Sequence, residues 1–108
     1  MTNGEIGKLK GLGHEWQKDG YHRIYFDNVI ELYGLKTTHY NTGNISSACL
    51  RGEKISNTQA LKIRDRFVFA DAKVWFDIVD GKFRGKNIGQ DDFNDIVAEI
   101  RNRIKEAN

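Results

Sequence analysis

Two Asp-Gly dipeptides, Asp19-Gly20 and Asp80-Gly81, each stand between strand-like runs, and they constrain this chain more than any other feature. A two-residue type I′ turn needs positive φ at both central residues, and Asp-Gly supplies them at little cost. The second dipeptide joins Val74-Trp75-Phe76-Asp77-Ile78-Val79 to Lys82-Phe83-Arg84-Gly85-Lys86. A two-residue loop there sets Val79 opposite Lys82, Ile78 opposite Phe83, Asp77 opposite Arg84 and Trp75 opposite Lys86. One face then carries Val74, Phe76, Ile78 and Phe83, a core face. The other carries Trp75, Asp77, Arg84 and Lys86, a solvent face with one large aromatic among charges. The first dipeptide joins His14–Lys18 to Tyr21–Phe26, with Trp16 opposite Arg23 and Glu15 opposite Ile24.

Helices fall between these hairpins. Asp27 reads as an N-cap for a short helix from Asn28 to Tyr33, stopped by Gly34. Ser56-Asn57-Thr58-Gln59 has the capping-box pattern, and Ala60, Ile63 and Phe67 follow at helical spacing with Leu61 and Val68 beside them. That helix is expected to end near Ala72. A last helix starts near Gln90, with Asp91 and Asp92 at its positive end and Arg101, Arg103 and Lys105 toward its negative end. Phe93, Ile96, Val97, Ile100 and Ile104 form its apolar stripe, which suits packing on a sheet.

The segment from Lys36 to Ile55 reads two ways. As strands, Thr37-His39-Tyr40 and Ser46-Ala48-Leu50 pair with each other or with Lys54-Ile55, and Arg51-Gly52 is a further two-residue turn. As a helix, Ile45, Ala48 and Cys49 share a face, and Arg51–Lys54 turns between helices. In that second form, Asn44-Ile45-Ser46-Ser47-Ala48-Cys49 followed by Arg51-Gly52-Glu53-Lys54 resembles short modular DNA-binding repeats appended to some homing nucleases. The resemblance implies that Asn44, Ser46, Ser47 and Arg51 touch DNA. The strand form is preferred. It makes the chain a hairpin followed by a helix, three times over, without a residue-level repeat.

The 108 residues suffice for one domain, residues 1–108, with one modest core. Net charge is +2, too small to force a nucleic-acid partner but compatible with a local basic patch. Cys49 is the one cysteine, which excludes an internal disulfide and favours a reducing compartment. The first residues show no apolar signal region, and Phe67–Ala70 is far too short for a membrane span. A cytoplasmic protein is expected, of the small kind common in phages and other mobile elements.

Catalytic patterns are weak. His14 and His22 point to opposite faces of the first hairpin, and no histidine set has metal-ligand spacing. Cys49 has no basic residue beside it within its strand and reads as a small buried thiol, although a hairpin could bring His39 near it. Asp80-Gly81-Lys82 matches the acid-x-lysine end of metal-dependent nuclease motifs, yet falls in a turn where such motifs need a strand. No phosphate loop, dinucleotide fingerprint or nucleophile elbow is present. No catalytic residue, cofactor or metal is expected.

The expected fold is α+β: an antiparallel sheet built from hairpins, with two main helices on one face. The expected core is Ile24, Phe26, Leu32, Ile63, Phe67, Val74, Phe76, Ile78, Phe83, Phe93, Val97, Ile100 and Ile104. The candidate binding residues are Trp75, Lys82, Arg84 and Lys86 on the third hairpin and Trp16 and Arg23 on the first. An exposed tryptophan flanked by cations can stack a base while the cations meet phosphates. The same pairs also occur as ordinary cross-strand contacts. A non-enzymatic module that docks a protein or a second copy through its sheet edge or tryptophan face is the first expectation. A nucleic-acid-binding accessory protein using the Trp/Lys/Arg face is the second, and an enzyme whose site follows no familiar motif is the third.

Overall fold

The structure is a computed structural model in which residues 1–106 are described. Helix α1, Asn3–Leu12, opens the chain, followed by strands β1, His14–Lys18, and β2, Tyr21–Tyr25. A short helix α2, Val29–Tyr33, leads to β3, Leu35–His39, β4, Ile45–Leu50, and β5, Glu53–Ile55. Helix α3, Asn57–Val68, then precedes β6, Lys73–Asp77, β7, Lys82–Lys86, and α4, Gln90–Glu106. The fold is α+β and built from antiparallel hairpins. The strands form two sheets where one was expected: a four-stranded sheet in the order β1-β2-β6-β7 and a three-stranded sheet in the order β3-β4-β5.

The middle segment is strand. Arg51 and Gly52 take φ of 50° and 84°, as Asp19 and Gly20 do at 50° and 84°, so both pairs make two-residue turns with positive φ. Arginine resists that conformation. Here its side chain offsets the cost: Nε donates to the Tyr33 carbonyl at 3.1 Å, and Nη2 pairs with Asp95 at 3.0 Å. The guanidinium also lies 4.6 Å from the Tyr33 ring centre. Gly34, at φ 107°, ends α2 beneath it, and a Cβ there would come within 2.6 Å of Arg51 Cγ. The helical form of this segment, and with it the likeness to DNA-binding repeats, is therefore overturned. Ser46 and Ser47 bond Thr38 across the hairpin at 2.7 and 2.6 Å, and Arg51 is held against α2 and α4.

The third hairpin keeps its faces but not its expected register. Trp75 faces Arg84, Phe76 faces Phe83 and Asp77 faces Lys82, so the loop is Ile78-Val79-Asp80-Gly81. Asp80 does not adopt positive φ; Gly81 alone does, at 71°. Local bonds win over the short turn. Val79 N–H donates to the Asp77 carboxylate at 3.1 Å, and Gly81 N–H donates to the Asp77 carbonyl at 2.8 Å. Ile78 N–H donates to the His22 carbonyl at 2.8 Å, which keeps that residue with β2. A Cβ on Gly81 meets nothing within 4 Å, so the cost of a side chain there is conformational alone. Gly81→Val should lower stability by about 1–2 kcal/mol, read as a shifted urea midpoint. An unchanged midpoint would exclude the left-handed conformation.

Smaller differences occur at helix ends. Asn28, and not Asp27, caps α2, its side chain accepting from Glu31 N–H at 3.2 Å. α3 is assigned to Val68, before Ala72. The chain turns at Asp71, φ 53°, with Asp71 N–H and Ala72 N–H bonded back to Val68 and Phe67. The Ser56 capping box forms as expected. α1 was not expected; Thr2 and Glu5 form its capping box.

Among the described residues the buried apolar side chains form one cluster fed by both sheets and all four helices. Of the expected core, Ile78, Phe83 and Phe93 are only half-buried, while Leu9, Val29, Leu35, Ile45, Ala48, Ala60 and Ile96 join it. α4 lies against the inner face of the four-stranded sheet, where Ile88 and Phe93 crowd Gly85 and Arg101 lies over Phe83. α3 covers β3 and β4. No helix among the described residues is long and apolar enough to cross a membrane.

Candidate functional site

The pairing of β2 with β6 decides the site. Arg23 lies opposite Asp77, Ile24 opposite Phe76 and Tyr25 opposite Trp75. Two hairpins far apart in sequence thus become one sheet. Strand alternation sends Ile24, Val74 and Phe76 inward, where they are buried. The outward face collects all six candidate residues. One row across the sheet reads Trp16, Arg23, Asp77, Lys82; the next reads His14, Tyr25, Trp75, Arg84. Lys73 and Lys86 face each other at one end, and Lys18 faces Tyr21 at the other.

The aromatic residues form a ladder. Trp16 and Tyr25 meet edge-on with centroids 6.4 Å apart, and Tyr25 and Trp75 are 5.8 Å apart. Diagonal cross-strand neighbours lie within reach of aromatic rings, which is why the ladder closes. Arg23 lies among them, its guanidinium 4.9 Å from the Tyr21 ring centre and 5.2 Å from that of Trp75. Its Nη1 donates to the Tyr25 hydroxyl at 3.4 Å, and that bond is the main cause that raises its pKa further.

Exposure divides the rings. Trp16 is 41% exposed and Tyr21 53%, whereas Trp75 is half-buried under its neighbours. Both tryptophans are candidates for base stacking by sequence; the accessible rings are Trp16, on the edge strand, and Tyr21. Tyr21 was missed, although the Asp19-Gly20 register already sets it opposite Lys18 and two residues from Arg23.

The cations also divide. Arg84 is ion-paired with Asp80 and lies 3.9 Å from the Asp77 carboxylate. The Arg84 bond holds the Asp80 carboxyl below the usual range and raises the guanidinium in return. Lys73 pairs with Asp71 at 3.5 Å. Lys18, Lys82 and Lys86 have no ion-pair partner among the described residues. Arg23 also has no carboxylate within ion-pair distance among the described residues, although Asp77 is directly across: that carboxylate serves Val79 N–H and Arg84 instead.

Other candidates do not assemble. His14 pairs with Asp27, and His22 bonds Glu15 at 2.5 Å from the opposite face. That bond is the first cause of a lowered Glu15 pKa, with Lys10 at 3.4 Å adding to it. No group of three or more potential metal ligands occurs among the described residues. Cys49 does have basic neighbours: the register sets Lys36 on one side of it and Lys54 on the other. It is half-buried rather than buried, and His39 pairs with Ile45 at the far end of β4. Asp80 lies in the turn, its carboxylate taken by Arg84 and by Lys82 N–H. A cleft of about 780 Å³ opens between α2, the β4–β5 turn and α4. Its acids are engaged, Glu31 and Glu99 with Arg103 and Asp95 with Arg51. Comparison with family models, curated proteins and solved structures finds no match to this chain.

Proposed function

We propose that this protein binds single-stranded nucleic acid on the outward face of the β1-β2-β6-β7 sheet, as a non-enzymatic accessory protein. The observation that carries the reading is the joining of two hairpins into one surface, with exposed Trp16 and Tyr21 beside Lys18, Lys82 and Lys86, which have no ion-pair partner among the described residues. Bases have a π-face that stacks on such rings, and phosphates meet the cations around them. The whole chain carries a formal charge of only +2. On this face Lys18, Arg23, Lys73, Lys82, Arg84 and Lys86 stand against Asp77, with Asp80, Asp71 and Asp27 at its margin, paired to Arg84, Lys73 and His14. The positive charge is therefore local. An open sheet offers ring faces to unstacked bases, which a duplex does not present. A cytoplasmic setting agrees with the single Cys49.

A second reading, docking of a protein or a second copy, draws on a different surface. Leu61 and Val68 on α3 and Phe69 just past its end are exposed, Phe69 by 80%. That apolar group lies outside the charged sheet face and predicts association that salt does not weaken.

The test is binding of labelled single-stranded DNA and RNA oligonucleotides at several salt concentrations. If Lys18, Lys82 and Lys86 each meet a phosphate, log affinity should fall with log salt at a slope of about −2. Replacing Lys82 and Lys86 together by alanine should flatten that slope by more than about one unit, and Arg84→Ala, whose charge is already paired, by less. Trp16→Ala should weaken binding by about 1–3 kcal/mol. Absence of binding at low salt, or an unaltered affinity in Trp16→Ala, would remove the reading.

A further inference from the structure

The outward face holds two buried donors without an acceptor among the described residues: Arg23 Nε and Trp75 Nε1. They belong to neighbouring side chains, since the Arg23 guanidinium lies 5.2 Å from the Trp75 ring centre. Buried N–H groups almost always find a partner, and one left without it costs free energy. Here the sheet could have supplied one. Asp77 stands directly across from Arg23, yet its carboxylate is turned to the β6–β7 loop and to Arg84. The remaining contact of the Arg23 head is one long bond to a phenol. Arg23 is thus a half-buried cation placed between Tyr21 and Trp75, with Asp77 across from it but no carboxylate within ion-pair distance among the described residues, and with a donor left over beside a second leftover donor.

Two donors and a positive charge define the missing group. It brings oxygen acceptors, carries no hydrogen to donate, and is negative. A phosphodiester meets all three conditions, and arginine's planar fork suits phosphate oxygens better than a lysine ammonium does. Both nitrogens are closed to solvent in the free protein, so the group enters only if Arg23 lifts from the Trp75 ring. That movement would uncover more of Trp75 for a base.

We infer that Arg23 and Trp75 form the anion-receiving centre of the nucleic-acid face, with Arg23 swinging off Trp75 to admit one backbone phosphate to Arg23 Nε and Trp75 Nε1. The inference rests on the single-strand reading and adds which phosphate contact is built into the fold. It assigns Trp75 a donor role, where Trp16 and Tyr21 supply exposed stacking rings.

The experiment follows the two tryptophan indole N–H signals and the arginine Nε–H signals of the full chain by nuclear magnetic resonance. Each signal is assigned through Trp16→Phe, Trp75→Phe and Arg23→Lys. Titration with single-stranded oligonucleotide should move the Trp75 indole and Arg23 Nε–H signals together. An abasic strand, which keeps its phosphates, should move them too; a strand with uncharged methylphosphonate links should not. Arg23→Lys keeps the charge and loses the fork, and should weaken binding about tenfold or more. Trp75→Phe keeps a ring and loses the donor, and should weaken it by about two- to tenfold. If the oligonucleotide binds and the Trp75 indole and Arg23 signals stay in place, this inference fails while the single-strand reading stands. If nothing binds, both fail. A shift produced equally by inorganic phosphate alone would overturn the strand backbone as the source of the group.

Discussion

A chain ending at Gln90 should show no cooperative unfolding transition. The deletion removes nearly all of α4, whose Ile96, Val97, Ile100 and Ile104 are buried, Ile96 and Ile100 completely. Burial of each such side chain contributes about 1.5–3 kcal/mol in transfer terms, so these four together match the whole net stability of about 5–15 kcal/mol of a typical domain. The loss does not stop with the helix. α4 touches α1 and α2 and lines the inner face of the four-stranded sheet, so its removal bares Phe76, Phe83 and Leu9. Its surface ion pairs, Arg66 with Asp92, Arg51 with Asp95 and Arg103 with Glu31, matter far less. Exposed pairs of this kind contribute about 0–1 kcal/mol. Thermal denaturation followed by circular dichroism and calorimetry checks the expectation. A sharp transition with its own heat-absorption peak in the shortened chain would show that the sheets and α3 hold a core without α4.

What was legible in this sequence follows from what is locally encoded. Asp19-Gly20 gave its hairpin register because both residues accept positive φ and no neighbouring side chain competes. Asp80-Gly81 did not, because the Asp77 and Asp80 carboxylates bond the backbone N–H groups of Val79 in the loop and Lys82 at its exit, and together they favour a longer loop. The shift moved Trp75 from Lys86 to Arg84 but left it on the same face, since a displacement by an even number of residues preserves the pleat. α1 escaped notice because its apolar pattern is thin: Leu9 is its buried residue, and the readable signal was the Thr2-Glu5 capping box. The site was legible in halves. Each hairpin announced an aromatic among cations, but the pairing of β2 with β6 is long-range, and no local pattern states it. That pairing also decides which ring is free. Trp75 sits on an inner strand beneath Tyr25 and Arg23, while Trp16 lies on the edge. Division of the strands into two sheets has the same origin, since hairpins encode their own register and not their neighbours.

Phe76→Ala should be the most damaging single substitution in the four-stranded sheet, lowering stability by about 3–5 kcal/mol. Phe76 is 1% exposed on the inner face of β6, and its ring meets Phe83 at 5.0 Å in a T-shaped contact. Phe83 in turn stacks toward Phe26 at 6.3 Å, so the vacated space lies at a junction of three rings. The backbone around it is fixed by β2 on one side and β7 on the other, which limits collapse into the cavity. A urea midpoint well below that of the unaltered chain, with a similar slope, is the expected result. A loss under about 1 kcal/mol would mean that this face does not close the core. Residue 75 next along the strand points the other way. Trp75→Phe should shift the midpoint much less, because its ring is half-buried on the outward face and its ladder contacts survive in a smaller aromatic. The pair therefore separates two roles carried by one strand. Kept cold enough to stay folded, Phe76→Ala should retain single-strand affinity close to that of the unaltered chain, whereas Trp75→Phe should lose affinity while keeping stability. Equal losses of affinity in both would argue that binding reports only on how well the sheet is held, and not on the groups it presents.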